Sequence, residues 1–250
     1  MSAIRLEFRE DVAVATIDNP EKRNALAISD LAALSAALDE AAAAPGLRAF
    51  VLAATGERVF SAGVDLSDVS GDGQWDENPL TALADKLEAF PRPTIVRVSG
   101  KVRGGAAELT LACDFRVGTS AVDLQVPPAR LGIHYETGGL ARALRVLGPS
   151  AARRAFLLAE TFDAAALERI GYFDRLVAPE ALDAAVEELL AAIRAGAPLA
   201  VNGMKLTLAE LAAGRAPEAG PRIAACWRSD DLKEGLAAVR ERRTPRFRGA

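Results

Sequence analysis

The chain has only two cysteines and a single histidine in 250 residues. Cys113 and Cys226 are too few for a disulfide framework, and neither belongs to a Cys-x-x-Cys pair. No cluster of metal-ligating residues appears at a usual spacing, so no metal is expected. No apolar run approaches the length of a membrane span, and the opening Met-Ser-Ala-Ile-Arg-Leu-Glu-Phe does not have the pattern of a signal peptide. The expectation is a cytoplasmic protein with no membrane partner. A net charge of −4 provides no basic field for nucleic acid, which is not expected as a partner. Neither a Gly-x-Gly-x-x-Gly nor a Walker loop is present, which removes the common nucleotide sites. What is there is the balance of a folded globular protein: 50% hydrophobic and 26% charged residues, in a chain long enough for a sizeable core.

Alternation in Ile4 to Phe8 and Val12 to Ile17, around Arg9-Glu10-Asp11, predicts a hairpin. Asp18-Asn19-Pro20 breaks it, and Ser29 is a candidate N-cap for a helix carrying Leu31, Leu34 and Leu38, which Pro45-Gly46 stops. Arg48 to Ala53 reads as a buried strand. Strand, helix, strand in that order implies a parallel sheet with helical cover.

Thr94 to Val98 is a short β-branched run, read as a second buried strand. Ala106 to Ala112 is rich in helix formers, so Gly104-Gly105 falls where strand turns into helix. A helix start offers unpaired N–H groups, and glycine allows a ligand close to the backbone. Glu108, three residues after Gly105, shares its face, and helical side chains lean toward the N-terminus. A backbone donor beside a carboxylate suits a reaction that builds negative charge on a carbonyl oxygen while a proton moves nearby. The same residues also suit a plain tight turn in which Glu108 only favours the helix dipole. A second segment, Phe60-Ser61-Ala62-Gly63-Val64-Asp65-Leu66, also follows a strand and crowds small residues into a turn. Two such loops can direct two N–H donors at one oxygen.

With these segments in view, the chain resembles the enoyl-CoA hydratase/isomerase, or crotonase, superfamily. Asn19-Pro20 with Arg23-Asn24-Ala25-Leu26 is similar to its first block. Phe60 to Leu66 is similar to the second, and Gly104-Gly105-Ala106-Ala107-Glu108-Leu109 with Ala112-Cys113-Asp114 to the third. The resemblance runs on to Arg242-Arg243-Thr244-Pro245-Arg246-Phe247 and so spans nearly the whole chain. It implies an α/β, crotonase-like fold of repeated β-β-α units in two roughly perpendicular sheets. A core domain over 1–195 would be followed by a helical region over 196–250 for trimerisation and pocket closure. It implies an acyl-CoA substrate, with coenzyme A entering as part of the substrate and no separate cofactor, and a homotrimer or dimer of trimers. The oxyanion donors would be Val64 and Gly105, and Glu108 would match one of the two hydratase glutamates. Lys22, Arg23, Ala25, Ser61, Ala62, Asp65, Leu66 and Gly104 lie in the blocks that border substrate. Asp65 also suits a helix cap. Lys205 is the C-terminal lysine expected to approach a CoA phosphate.

The chain departs from the family at one place. The second hydratase glutamate lies four residues before the glycine matching Gly132, and here that position is Pro128. Proline can neither give nor take a proton. His134, Tyr135 and Glu136, just before the helix start at Thr137-Gly138-Gly139, are the candidates to fill the gap. Glu136 ranks first as a carboxylate able to pair with Glu108. Tyr135 follows as a hydrogen-bond donor, and His134 comes third. Hydration of a 2-enoyl thioester is the first functional expectation. Decarboxylation or other enolate chemistry, and a catalytically silent acyl-CoA-binding protein, are the alternatives. In the family the loop around Trp75 and Leu80 borders the acyl pocket. From Pro149 onward the pattern is helical, with leucine stripes that read as core and oligomer interface.

Overall fold

The computed structural model describes residues 2–65, 67 and 78–250. Ile4–Arg9 (β1) and Val12–Ile17 (β2) pair antiparallel across a tight turn in which Glu10 takes a left-handed φ of 54°. Ile28–Ala43 (α1) then crosses to Ala49–Ala54 (β3), which lies parallel to β2. The helix begins two residues before the sequence suggests. Ala27 is the N-cap, and Asp30, not Ser29, satisfies the start by accepting from the Ala27 N–H at 3.0 Å.

Three repeats follow, each a strand of a large sheet, a short strand of a small sheet, and a helix. They are β3, Val59–Ser61 (β4) and Pro79–Glu88 (α2); Thr94–Val98 (β5), Lys101–Arg103 (β6) and Gly105–Ala112 (α3); and Phe115–Thr119 (β7), Asp123–Gln125 (β8) and Thr137–Leu158 (α4). Phe162–Asp163 (β9), Ala164–Arg169 (α5), Arg175–Val177 (β10) and Leu182–Arg194 (α6) complete the core. The large sheet runs β1-β2-β3-β5-β7-β10, parallel after its first pair, and the small one runs β4-β6-β8-β9.

Strands buried on both faces need apolar residues at successive positions. Phe50, Leu52, Val96 and Val98 face the main core with α1 to α4, while Val12, Val14, Val51, Ile95 and Val117 face α6 through Leu182, Val186 and Leu190. α3 is buried all round, as an apolar helix must be, and Glu108 is its one charged residue. α4 kinks at Gly148, where φ is 74° and Pro149 follows.

Pro198–Ala212 (α7), Ala219–Arg228 (α8) and Asp230–Glu241 (α9) differ from the rest. Their only described buried residues are Lys205, Asp231 and Ala238. Met204, Leu208, Ile223, Trp227, Leu236 and Val239 on these helices are all exposed.

Candidate active site

Two loops meet because one buried asparagine laces them together. Asn24 accepts from the Asn19 N–H and donates to the carbonyls of Thr55 (2.9 Å) and Val59 (3.1 Å). The Asn24 carbonyl accepts from Ser61 Oγ at 2.6 Å, and the Arg23 carbonyl accepts from the Ala62 N–H at 3.0 Å. Ser61 Oγ in turn takes the Gly63 N–H at 3.1 Å. Arg23 and Asn24, with φ of 53° and 55°, are left-handed, a region asparagine tolerates better than most residues. These contacts make the first block and Ser61 a scaffold for the turn, with Ser61 itself fully buried.

That scaffold sets the direction of Val64. Leu26 directs both its polar groups at this segment, donating to the Gly63 carbonyl and accepting from the Asp65 N–H, each at 2.8 Å. In a parallel bridge of this kind the N–H of Val64 points away from Leu26. Gly105, the first residue of α3, also has an N–H that no helical carbonyl can take. Neither N–H has an acceptor among the described residues. The loops touch: a Cβ on Gly63 would stand 3.0 Å from Gly105 N, and one on Gly105 would stand 3.1 Å from Val64 Cγ2. Gly104 reaches this turn with φ of 52°, which explains the glycine there.

Both donors border a cavity of about 390 Å³ with Glu108 in its wall. The remaining lining includes Ile28, Leu31, Ala62, Leu80, Pro127, Pro128, Leu131 and Ile133, a largely apolar set. Glu108 is 1% exposed, and its Oε1 accepts from Arg142 Nη1 at 2.9 Å. Burial pushes its carboxyl above the ordinary 4.5; nearby Tyr135 and the Arg142 charge pull it part of the way back, while Asp85 pushes it up. The hydroxyls of Thr81 and Tyr135 lie close enough to act on that carboxyl, yet no described group makes a hydrogen bond with either, and both oxygens are buried. Burial and the neighbouring carboxylate hold the Tyr135 phenol well above its usual value, so it stays protonated and able to donate.

Of the three candidates to replace the second glutamate, Tyr135 is the one brought to Glu108. Its ring packs edge-on against Phe156 at 4.9 Å. Glu136 and His134 line the rim of the same cavity and are exposed, Glu136 as the N-cap of α4. The sequence places Glu136 ahead of Tyr135, whereas the structure sets Tyr135 and not Glu136 against Glu108. Pro128 is buried in the wall and opens a single helical turn over Pro128–Leu131.

The other predicted residues divide. Asp65 Oδ1 accepts from Ser67 N (3.0 Å) and Oγ (2.7 Å), and its other oxygen lies 3.5 Å from Lys22 Nζ. Lys22 and Arg23 are exposed, and Ala25 is half-buried in the turn between them and Leu26. Leu66 and Trp75 lie outside the described residues. Lys205 corrects its expectation: its side chain is buried, Nζ is 2.7 Å from Asp114 Oδ2, and it donates to the Arg92 carbonyl at 2.8 Å. It ties α7 to the core rather than reaching for a phosphate. Cys113 is no nucleophile, because burial pushes its thiol up to about 12. Arg142 and Thr81 were not anticipated; 34 and 27 residues from Glu108, they carry no local signal of where they point. No group of side chains that could hold a metal ion occurs among the described residues.

The cavity thus brings two backbone N–H groups with no described acceptor beside one buried carboxylate. Comparison with known proteins gives the family. The family model for enoyl-CoA hydratase/isomerase matches residues 7–250, and the chain belongs to that family. It is 29% identical over 256 residues to the crotonyl-CoA hydratase of Syntrophomonas wolfei, covering 98% of this chain and 97% of that one. It is also 29% identical over 251 residues to the methylmalonyl-CoA decarboxylase of Escherichia coli, covering 95% of each. Among solved structures, an enoyl-CoA hydratase/carnithine racemase from Magnetospirillum magneticum superposes with a TM-score of 0.88 at 28% identity, over 100% of this chain and 97% of that one. The protein is thus an enzyme of the crotonase fold. No helix among the described residues is long and apolar enough to cross a membrane.

Proposed function

We propose that the protein is an acyl-CoA lyase that hydrates a 2-enoyl thioester, using Glu108 as its single acid/base and the Val64 and Gly105 N–H groups as the oxyanion hole. The observation that carries this is one buried carboxylate sharing a cavity with two unpaired backbone donors. Water attacks C3 while Glu108 takes one of its protons. The electron pair moves to the thioester oxygen, where the two N–H groups hold the enolate. The carboxylic acid so formed returns its proton to C2, leaving a 3-hydroxyacyl thioester and a carboxylate ready to repeat. A carboxyl raised by burial suits both halves of this exchange. An oxyanion donor is worth about 2.7–4 kcal/mol. The apolar lining fits a short acyl chain, and exposed Lys22 and Arg23, beside the loop that carries Ala62, are the cations for the CoA phosphates.

Decarboxylation is the second reading, favoured by Pro128 in place of a carboxylate and by the unpartnered Tyr135 hydroxyl. There the C–CO₂ bond breaks, its electron pair reaches the thioester oxygen, and protonated Glu108 protonates C2. Assaying crotonyl-CoA and methylmalonyl-CoA side by side decides between the two. Loss of the enoyl absorbance supports hydration, and CO₂ release from the second substrate alone replaces it. The assembly we infer is a homotrimer or a pair of trimers, with the apolar faces of α7 to α9 covered by other copies, since Trp227 and Val239 are 72% and 78% exposed. Sedimentation of the wild type should give a multiple of three, and Trp227→Glu should shift it toward smaller species. A wild-type monomer would contradict the assembly.

A further inference from the structure

Arg142 is the largest fully buried side chain among the described residues. Its guanidinium is engaged on three sides: Nη1 donates to Glu108 Oε1 at 2.9 Å, Nε to Glu88 Oε2 at 3.0 Å, and Nη2 to Asp85. Glu88 accepts a further bond from Arg145 through its other oxygen. Asp85 and Glu88 are three apart on α2, so they present neighbouring carboxylates on one face. One carboxylate is enough to balance one cation. Three, drawn from α2 and α3, fix the plane and direction of a fork-shaped donor. Burying such a pair costs desolvation that a well-packed apolar pair avoids, so stability alone does not account for it.

The clamp leaves the two Glu108 oxygens unequal. Oε1 is held. Oε2 is not on Arg142 and lies on the side of Gly139 and Tyr135: a Cβ on Gly139 would stand 2.9 Å from Oε2 and 2.4 Å from Tyr135 Cε1. The same α2 that anchors Arg142 supplies Leu80 and Thr81 to the cavity wall. We propose that Arg142 is a positioning residue that presents Oε2 of Glu108 as the proton-exchanging oxygen, and that Asp85 and Glu88 hold Arg142 in register for that task. This rests on Glu108 being the acid/base of the site.

The charged and titratable groups around Glu108 are Arg142 from α4, Asp85 from α2 and Tyr135 from the segment before α4. Glu88 reaches it through Arg142, and His134 and Glu136 sit at the cavity rim. Arg142 and Asp85 act on it with opposite sign. The test is a carboxyl titration by ¹³C NMR on protein labelled in its glutamate side chains, with Glu108 assigned from the signal lost in Glu108→Gln. It needs no substrate. The Glu108 midpoint should rise in Arg142→Gln and fall in Asp85→Asn. The kcat of Arg142→Gln should drop about 100-fold with KM within about threefold, as expected when a reacting group is misplaced by about an ångström. Arg142→Lys should restore much of the midpoint and little of the rate, because it keeps the charge without the fork. A folded Arg142→Gln with unchanged midpoint and kcat overturns the proposal. Should Arg142→Gln not fold, Asp85→Asn decides, its side chain being 61% exposed. A lower midpoint with reduced kcat supports the clamp, and an unmoved pair of values overturns it. Full turnover in Glu108→Gln would remove the acid/base reading itself. A dead Glu108→Gln beside a normal Arg142→Gln would remove only the clamp.

Discussion

Gly139 and Glu108 are neighbours across two helices: a side chain on Gly139 would begin 2.9 Å from Glu108 Oε2. It would also stand 2.4 Å from the Tyr135 ring, which Phe156 braces from behind. Alanine in a helix is favoured over glycine by about 1 kcal/mol, whereas overpacking costs about 1–3 kcal/mol. The overpacking wins. Gly139→Ala should lose about 1 kcal/mol in urea unfolding and most of its turnover, because Tyr135 and Glu108 must part. A variant as stable and active as the wild type would show that this contact has slack.

Lys205 offers a test of structure against binding. Its ammonium is buried on Asp114, and removing one partner of a buried pair costs about 3 kcal/mol. Asp114 keeps its bonds from the Thr94 N–H and hydroxyl, which softens the loss. Lys205→Met should therefore unfold more easily while KM for acyl-CoA changes less than about twofold. A large rise in KM without loss of stability would return Lys205 to the phosphate site.

The pH dependence follows from burial. Glu108 titrates above 4.5 in the folded protein, so kcat/KM for hydration should rise with pH along an acid limb lying above the ordinary carboxylate range. The Tyr135 phenol, held well above 10, should add no descending limb in the neutral range. Stability runs the other way. A folded carboxyl with a raised pKa contributes stability at low pH that is lost as pH rises through the folded value. Glu108→Gln should therefore gain on the wild type as pH rises from about 4.5, measured by thermal unfolding across pH 4 to 8. A difference that does not change with pH would contradict the raised titration.

Much of this was legible in the chain. The alternation of β1 and β2, the apolar runs of β3 and β5, and the small-residue turns at Gly63 and Gly105 follow local rules, and the structure places them where those rules put them. The small sheet was not legible. Its strands are two or three residues long, too short for a period to show. Ser29 lost the cap to Ala27 because Asp30 reaches back to the helix start, a choice made by tertiary contact with Ala3 as well. At the site, Glu108 announces itself by standing three residues from a glycine pair. Arg142 looks like any arginine on a half-buried helix, and only the fold shows three carboxylates converging on it. In the sequence, charge alone favours Glu136 over Tyr135. What separates them is that one hydroxyl is buried against Glu108 while the other side chain faces water.

Hydration of crotonyl-CoA by wild type and by Glu108→Gln, followed at the enoyl-thioester absorbance, bears most directly on the chemistry. With Glu108 as the proposed acid/base, the wild type should turn over and the variant should lose about 10²- to 10⁴-fold, with folding retained. A Glu108→Gln protein that hydrates as fast as the wild type would contradict it.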